Sequence, residues 1–157
     1  MHMVLSRWQR FGYACVNFGS CISVREYCRT HDIDFSKMNR RRRFPEIEKL
    51  AKQLMKTIET VIPVLPVALV ASVLTEHPED WLSAYDLEAR VDALIEEIQA
   101  RGAPVYVSTQ GRVHMILSAL NTLKLRRLVV ESNETYRVDP KEFDLLSYYA
   151  HAIAHWR

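Results

Sequence analysis

The chain has 157 residues, of which 48% are hydrophobic and 25% charged, a composition typical of one globular domain or two small ones and not of a disordered chain. The longest apolar stretch, residues 61–74, contains two prolines and is too short to span a bilayer as a helix. The net charge of +2 is unevenly distributed, because residues 1–60 hold 12 Lys or Arg and 6 Asp or Glu (+6), whereas residues 61–157 hold 9 and 13 (−4).

The first third combines a short β-like segment with a basic run. Tyr13 to Phe18 is aromatic and β-branched between two glycines, which predicts a strand. Ser23, with Glu26 three residues later, predicts a capped helix over about 22–27. Residues 31–43 are polar and charged and predict a loop. This loop ends in four arginines, Arg40, Arg41, Arg42 and Arg43. They are candidates for contact with phosphate, an anionic membrane surface or an acidic carrier protein. The favoured alternative is a loop whose charges are simply solvated.

The middle of the chain predicts three helices. Residues 45–61 have apolar residues at three- and four-residue steps, and Pro45 suits a first helical turn. A buried helix is expected over 67–74, started by Pro66. Ser83 and Asp86 form a capping box for the third helix, with Leu82 and Leu87 at the spacing of a hydrophobic staple. Gly102 and Pro104 are expected to end this helix.

The last third predicts helix, hairpin and helix. Apolar residues mark one face of the first of these helices: Val113, Ile116, Leu117, Leu120 and Leu123. Two strands joined by a short turn are predicted at residues 128–131 and 135–138. Asp139 caps the last helix, with Pro140 in its first position, and the expected buried face is Phe143, Leu146, Ala150 and Ile153.

Together these elements predict a mainly helical α+β fold. The order helix, helix, helix, hairpin over residues 66–138 is that of a winged-helix module, which suggests nucleic-acid binding through a recognition helix at 110–127. Duplex binding depends on neutralising phosphate, however, and residues 61–157 carry a net charge of −4. Nucleic acid is therefore an unlikely partner.

No catalytic, metal or cofactor site is predicted. Cys15, Cys21, Cys28 and His31 lack the close ligand pairs of structural zinc sites, and without a secretion signal the cysteines read as reduced cytosolic thiols. His151 and His155 are four apart, which places both on one face of the last helix, but no third ligand is apparent. The sequence has neither a glycine-rich phosphate loop nor a nucleophile elbow.

Three strings of the sequence resemble motifs of the bacterial membrane-bound glycerol-3-phosphate acyltransferases, and they occur in the order of that family. Residues 16–23, VNFGSCIS, are similar to V-N-F-G-E-P-I-S, and residues 61–71 resemble V-x-P-V-x-P-V-x-L-V-A. Residues 148–155, YYAHAIAH, are similar to Y-Y-x-N-S-I-x-H, and the departures from the quoted motifs include Ser20, Cys21 and His151. The motif residues carried over are Asn17, Phe18, Gly19, Pro63, Pro66, Tyr148, Tyr149 and His155.

The resemblance implies a division of the chain and a location. Residues 1–44 would be the edge of an acyltransferase α/β core, including its terminal strand, followed by the basic loop. Residues 45–157 would be a helical C-terminal domain, winged-helix-like over 66–138. Members of the family act in phospholipid synthesis, so we expect a peripheral position on the cytoplasmic side of the bacterial inner membrane, without a transmembrane helix.

The resemblance also implies a reaction that this chain does not perform alone. The family transfers an acyl group from acyl carrier protein or acyl-coenzyme A to glycerol 3-phosphate, with the histidine of an H-x4-D motif as general base. None of the six histidines is followed by an aspartate at that spacing. We therefore expect a C-terminal fragment that is inactive alone, with a missing catalytic acyltransferase domain as its partner. The alternative is a winged-helix-like interaction or nucleic-acid-binding module.

Overall fold

The computed structural model describes residues 15–157, which form a mainly helical α+β fold, as predicted. The α-helices of this part of the chain are α1 (Val24–Thr30), α2 (Arg40–Glu59), α3 (Pro66–Glu76), α4 (Ala84–Ala100), α5 (Arg112–Leu125) and α6 (Phe143–His151). The strands are β1 (Leu82–Ser83), β2 (Val129–Ser132) and β3 (Thr135–Val138). Two short 3-10 helices, Pro140–Glu142 and Ala154–Trp156, flank α6.

Helix α3 is the centre of the hydrophobic core. All of its residues from Ala68 to Leu74 are buried, because α4, α5 and α6 pack around it. A helix that is apolar on every side needs such an environment. Its one buried polar side chain, Ser72, donates a hydrogen bond to the carbonyl oxygen of Ala150 on α6, at 3.4 Å. The predicted buried helix started by Pro66 is thus confirmed.

Helix α4 begins and ends where the sequence predicts. The Ser83 hydroxyl is the N-cap and accepts from the backbone N–H of Asp86 at 3.1 Å. Leu82 and Leu87 are both buried, as the hydrophobic staple requires. Gly102 follows the last turn with φ 89°, a left-handed conformation that glycine adopts without steric cost.

The predicted hairpin is present and forms a small antiparallel sheet with β1. The strand order is β1-β3-β2, and Val129 pairs with Val138. Asn133 and Glu134 make the turn with φ values of 48° and 60°, so both central residues are left-handed, as in a type I′ turn. The paired residues Val129 and Val138 are both buried and belong to the hydrophobic core.

Two predictions for the first third are wrong. Residues 15–18 form no strand, and the side chain of Asn17 instead donates a hydrogen bond to Val61, two residues after α2. Tyr13 and Ala14 lie outside the described residues. The predicted loop at 31–43 is also too long, because α2 begins at Arg40 and contains Pro45 inside the helix. Asn39 is the N-cap, and its side-chain oxygen accepts from the backbone N–H of Arg42 at 3.0 Å.

Three details of the later helices also differ. On α5, Val113 and Leu117 are exposed, whereas Met115 and Ala119 join the buried face. Phe143 on α6 is 36% exposed and Ala150 is half-buried, whereas Leu146 and Ile153 are buried as expected. Asp139 caps the 3-10 turn that leads into α6 rather than α6 itself.

The hydrophobic core comprises residues between Val64 and Ile153. Of the described residues before Val64, only Tyr27 and Leu50 are buried apolar side chains, and neither belongs to that core. Helix α2 thus lies outside the packed core. The predicted boundary between residues 44 and 45 stays a prediction, and α2 runs continuously across it.

Candidate functional site

The first motif string is attached to the segment that follows α2. The Asn17 side-chain amide donates to the carbonyl oxygen of Val61 at 2.9 Å. A Cβ atom added at Gly19 would lie 3.2 Å from Cγ1 of the same valine, so a larger residue would require Val61 to shift. Phe18 lies between these two contacts and is 92% exposed. Asn17 and Gly19 therefore fasten the string, while the phenyl ring faces outward.

The second motif string lines a cavity of about 380 Å³. Pro66 begins α3, and Val64 is held by a parallel bridge to Val105, with the N–H of Tyr106 donating to the Val64 carbonyl at 3.0 Å. These bonds fix the segment that precedes α3. We call the space the motif cavity, and its lining residues are Cys15, Ile62, Pro63, Leu65, Pro66, Val67, Ala68, Thr122, Arg126, Tyr149, Ala152 and Ile153.

The third motif string contributes Tyr149 to this cavity. The guanidinium of Arg126, at the end of α5, donates to the Tyr149 hydroxyl and lies 5.6 Å from the centre of its ring. Both side chains are half-buried. Nothing local in the sequence links these residues, because they are 23 positions apart on different helices. The structure thus adds Arg126, which the sequence placed only on a candidate recognition helix.

Two residues of the third string are not part of the cavity. Tyr148 is 74% exposed and meets Tyr149 edge-on. His155 is exposed beside the ring of Trp156. The expectation that His151 and His155 share one helix face is wrong, because α6 ends at His151 and His155 lies in the following 3-10 helix.

The predicted basic run forms the first turn of α2. No acidic residue lies in that turn, and no ion pair joins Arg40–Arg43 to a carboxylate within residues 15–157. Arg40 lies over the Phe44 ring at 5.5 Å, and Arg43 donates to the Met38 carbonyl at 2.9 Å. The positive end of the helix dipole lies at this terminus, so the four arginines add to its field. The result is a concentrated positive potential.

An apolar stripe runs along α2 beside these arginines. Its side chains recur at helical spacing and are all exposed, with Phe44 at 59% and Met55 at 57%; the stripe consists of Phe44, Ile47, Leu54, Met55 and Ile58. Leu50, at the edge of the stripe, is buried. We call this surface the α2 stripe. Bulky apolar side chains in a row on a helix are typical of a surface that another partner covers.

Charged side chains occupy the flanks and the far side of α2. Lys49 pairs with Glu46 at 2.8 Å, and Lys52 pairs with Glu48 at 2.7 Å. The hydrogen bond and charge of Glu46 raise the pKa of Lys49, and those of Lys52 lower the pKa of Glu48. The helix holds seven basic and three acidic residues, so its net charge is +4. Helix α2 is therefore basic and carries an exposed apolar stripe, with Glu48 at the edge of that stripe four residues after Phe44.

The described region contains no candidate metal centre, and its cysteines are unpaired. Within residues 15–157, no group of three or more His, Cys, Asp or Glu side chains could hold a metal ion. Cys15, Cys21 and Cys28 are free thiols, and Cys15 lines the motif cavity. Over the same residues, no helix combines the length and the apolar character needed to cross a bilayer.

The described residues form a mainly helical α+β domain in which the second and third motif strings line one cavity and the first contacts Val61. A family model described as the glycerol-3-phosphate acyltransferase C-terminal region matches residues 3–156. The chain belongs to that family, since the match spans nearly all of it. Searches of curated proteins and of solved structures found no match.

Proposed function

We propose that the chain is the membrane-attaching part of a glycerol-3-phosphate acyltransferase, and that α2 lies in the interface of an anionic bilayer. The observation that carries this proposal is the α2 stripe, which is exposed and adjoins Arg40–Arg43. Interfacial helices combine an apolar face with a face rich in Lys and Arg. The attachment would be peripheral, on the cytoplasmic side of the bacterial inner membrane, where the product of acyl transfer enters phospholipid synthesis.

The charge of α2 favours an anionic lipid surface over the other candidate partners. An acidic acyl carrier protein would satisfy the arginines but leave the α2 stripe in water. A catalytic domain could cover the stripe but would not by itself require a positive helix terminus. Each Lys or Arg near an anionic membrane contributes about 1 kcal/mol, so four arginines correspond to roughly a thousandfold in binding.

Catalysis is assigned to a partner domain. Acyl transfer to a hydroxyl group requires a positioned general base, and no histidine of this chain stands in an H-x4-D motif. The catalytic acyltransferase domain would supply that motif and accept acyl groups from acyl carrier protein or acyl-coenzyme A. Val16 and Phe18, exposed on the first motif string, are the side chains that we propose contact it.

Vesicle sedimentation tests the membrane proposal. Wild type should pellet with phosphatidylglycerol vesicles and stay in solution with phosphatidylcholine vesicles, and added salt should weaken the binding. Replacing Arg40–Arg43 with serine should remove the preference for anionic vesicles. The double variant Ile47→Ser/Ile58→Ser should lower binding while keeping the charge. Equal binding to both lipids, or to neither, would contradict the proposal.

A matched control separates the arginine run from general positive charge. Arg90→Ser/Arg127→Ser removes two exposed cations from the packed domain, and Arg41→Ser/Arg42→Ser removes two from α2. Only the α2 pair should weaken sedimentation with anionic vesicles. Similar losses for the two pairs would mean that the whole surface, and not α2, contacts the membrane.

A winged-helix interaction module is the second candidate, supported by the order of α3, α4, α5 and the hairpin. Two cations of α5 have internal acidic partners, however: Arg112 lies 3.5 Å from Asp92, and Lys124 pairs with Glu131. That pairing and the acidic second half disfavour contact with phosphates. A gel shift at two salt concentrations decides, because salt-sensitive duplex binding would favour the nucleic-acid function.

A further inference from the structure

The motif cavity has the chemical composition of a site for one amphiphilic molecule. Most of its wall is aliphatic, contributed by the segment before α3, by the start of α3 and by Ile153. Its polar side chains include Thr122, Arg126 and Tyr149, and none of the described lining residues is acidic. A volume of about 380 Å³ falls in the range of about 300–1,000 Å³ that small-molecule sites occupy.

We propose that the motif cavity binds a single long-chain carboxylate, with the hydrocarbon chain inside and the carboxylate on Arg126 and Tyr149. The Tyr149 oxygen accepts from Arg126, which leaves the hydroxyl hydrogen to be donated to a ligand. A carboxylate accepts hydrogen bonds from both groups. Charge complementarity therefore comes from one guanidinium in a cavity without described carboxylates.

The headgroup and the tail are each selected by a separate feature. Arg126 is the one cation among the described lining residues, and its charge matches a monoanion better than a phosphomonoester dianion in this half-buried position. The aliphatic wall made by Ile62, Leu65 and Val67 gains from each methylene group that leaves water. The small volume favours one chain over the two chains of a membrane lipid. No described lining residue belongs to the α2 stripe, so the two surfaces can be tested by separate variants.

Calorimetric titration of the full chain with dodecanoate, octanoate and 1-dodecanol tests the proposal. All three are used below the concentrations at which they aggregate. We expect one dodecanoate per chain, with affinity rising about fourfold for each added methylene until the cavity is filled. Dodecanol should bind at least tenfold more weakly, because it lacks the charge that the guanidinium recognises. Equal affinities for dodecanol and dodecanoate would overturn the assignment of the headgroup.

Variants locate the ligand. Arg126→Met should remove the preference for dodecanoate over dodecanol, whereas Arg126→Lys should retain much of that preference. Arg127→Met is the control and should bind as wild type does, because Arg127 is exposed and does not line the cavity. Ala152→Phe adds a ring at the exposed edge of the cavity and should weaken both ligands. Thermal melting confirms that each variant is folded.

The α2 stripe is the competing apolar surface. Ile47→Ser, which changes only that stripe, should leave dodecanoate binding unchanged. Binding that is lost in Ile47→Ser but kept in Ala152→Phe would place the hydrocarbon chain on α2 and refute the cavity as the site. If Arg126→Met still preferred dodecanoate over dodecanol as strongly as wild type does, the role of the guanidinium would likewise be refuted.

Discussion

Replacing Leu87 with alanine tests the packing that defines the domain. Leu87 lies at the fourth position of α4, is 0% exposed and belongs to the core around α3. The substitution removes three carbon atoms. At about 0.8 kcal/mol per buried methylene, the transfer term alone is about 2.4 kcal/mol. The cavity left behind adds to that term, so the free energy of unfolding should fall by about 2–5 kcal/mol.

Chemical denaturation followed by far-UV circular dichroism measures this loss, and thermal melting provides a second value. For a chain of this size, each kcal/mol shifts Tm by about 2–4 °C, so Tm should fall by roughly 4–20 °C. Leu125→Ala is the matched control, because it deletes the same atoms from a residue that is 67% exposed. Its effect should be within about 0.5 kcal/mol. Equal effects of the two variants would refute the burial of Leu87.

Three further outcomes are expected. Ser83→Ala should lower stability by about 1 kcal/mol in a denaturation experiment, while Ser83→Asp, which can still cap α4, should not. The hydrogen bond and charge of Lys124 lower the pKa of Glu131, so Lys124→Met should raise that pKa in an NMR titration. The lowered pKa of Glu48 on α2 is the control and should not change. An unchanged pKa of Glu131 would refute the ion pair between Lys124 and Glu131. The purified chain should transfer no acyl group from acyl-coenzyme A to glycerol 3-phosphate, and turnover above a heat-inactivated sample would show that a general base was overlooked.

The sequence predicts best where structure depends on neighbouring residues. The start of α4 follows from Ser83, Asp86 and the two leucines of the staple, all within six residues. The hairpin follows from two β-branched runs and a turn between them. These local signals agree with the final packing, so element type and boundaries are both close to the observed ones.

Prediction fails where two local signals compete or where the pattern is ambiguous. Pro45 suggests a helix start, but Asn39 caps the helix earlier, and the arginines between them are good helix formers. On α5, apolar residues occupy most positions from 113 to 120, so the spacing does not identify the buried face. Residues 15–18 have strand-like composition, yet no strand of the described sheet pairs with them.

The candidate sites could be predicted only in part. The motif strings mark Pro63, Pro66 and Tyr149, which do meet at one cavity, but they also mark Phe18 and Tyr148, which face outward. The partnership of Arg126 with Tyr149 depends on how α5 and α6 both pack against α3, and it has no signal in the sequence. Likewise, the helical spacing of the α2 stripe is readable, but its exposure is known only from the structure.

The depth of α2 in a bilayer is the most direct test of the proposed membrane attachment. Phe44→Trp places a fluorescent reporter on the α2 stripe, and Gln53→Trp places one on the exposed polar side; emission is compared with that of wild type. With anionic vesicles, we expect a blue shift at position 44 and quenching by lipids brominated roughly 5–10 Å below the headgroups, and we expect neither effect at position 53. Identical emission of the two variants with and without vesicles would contradict it.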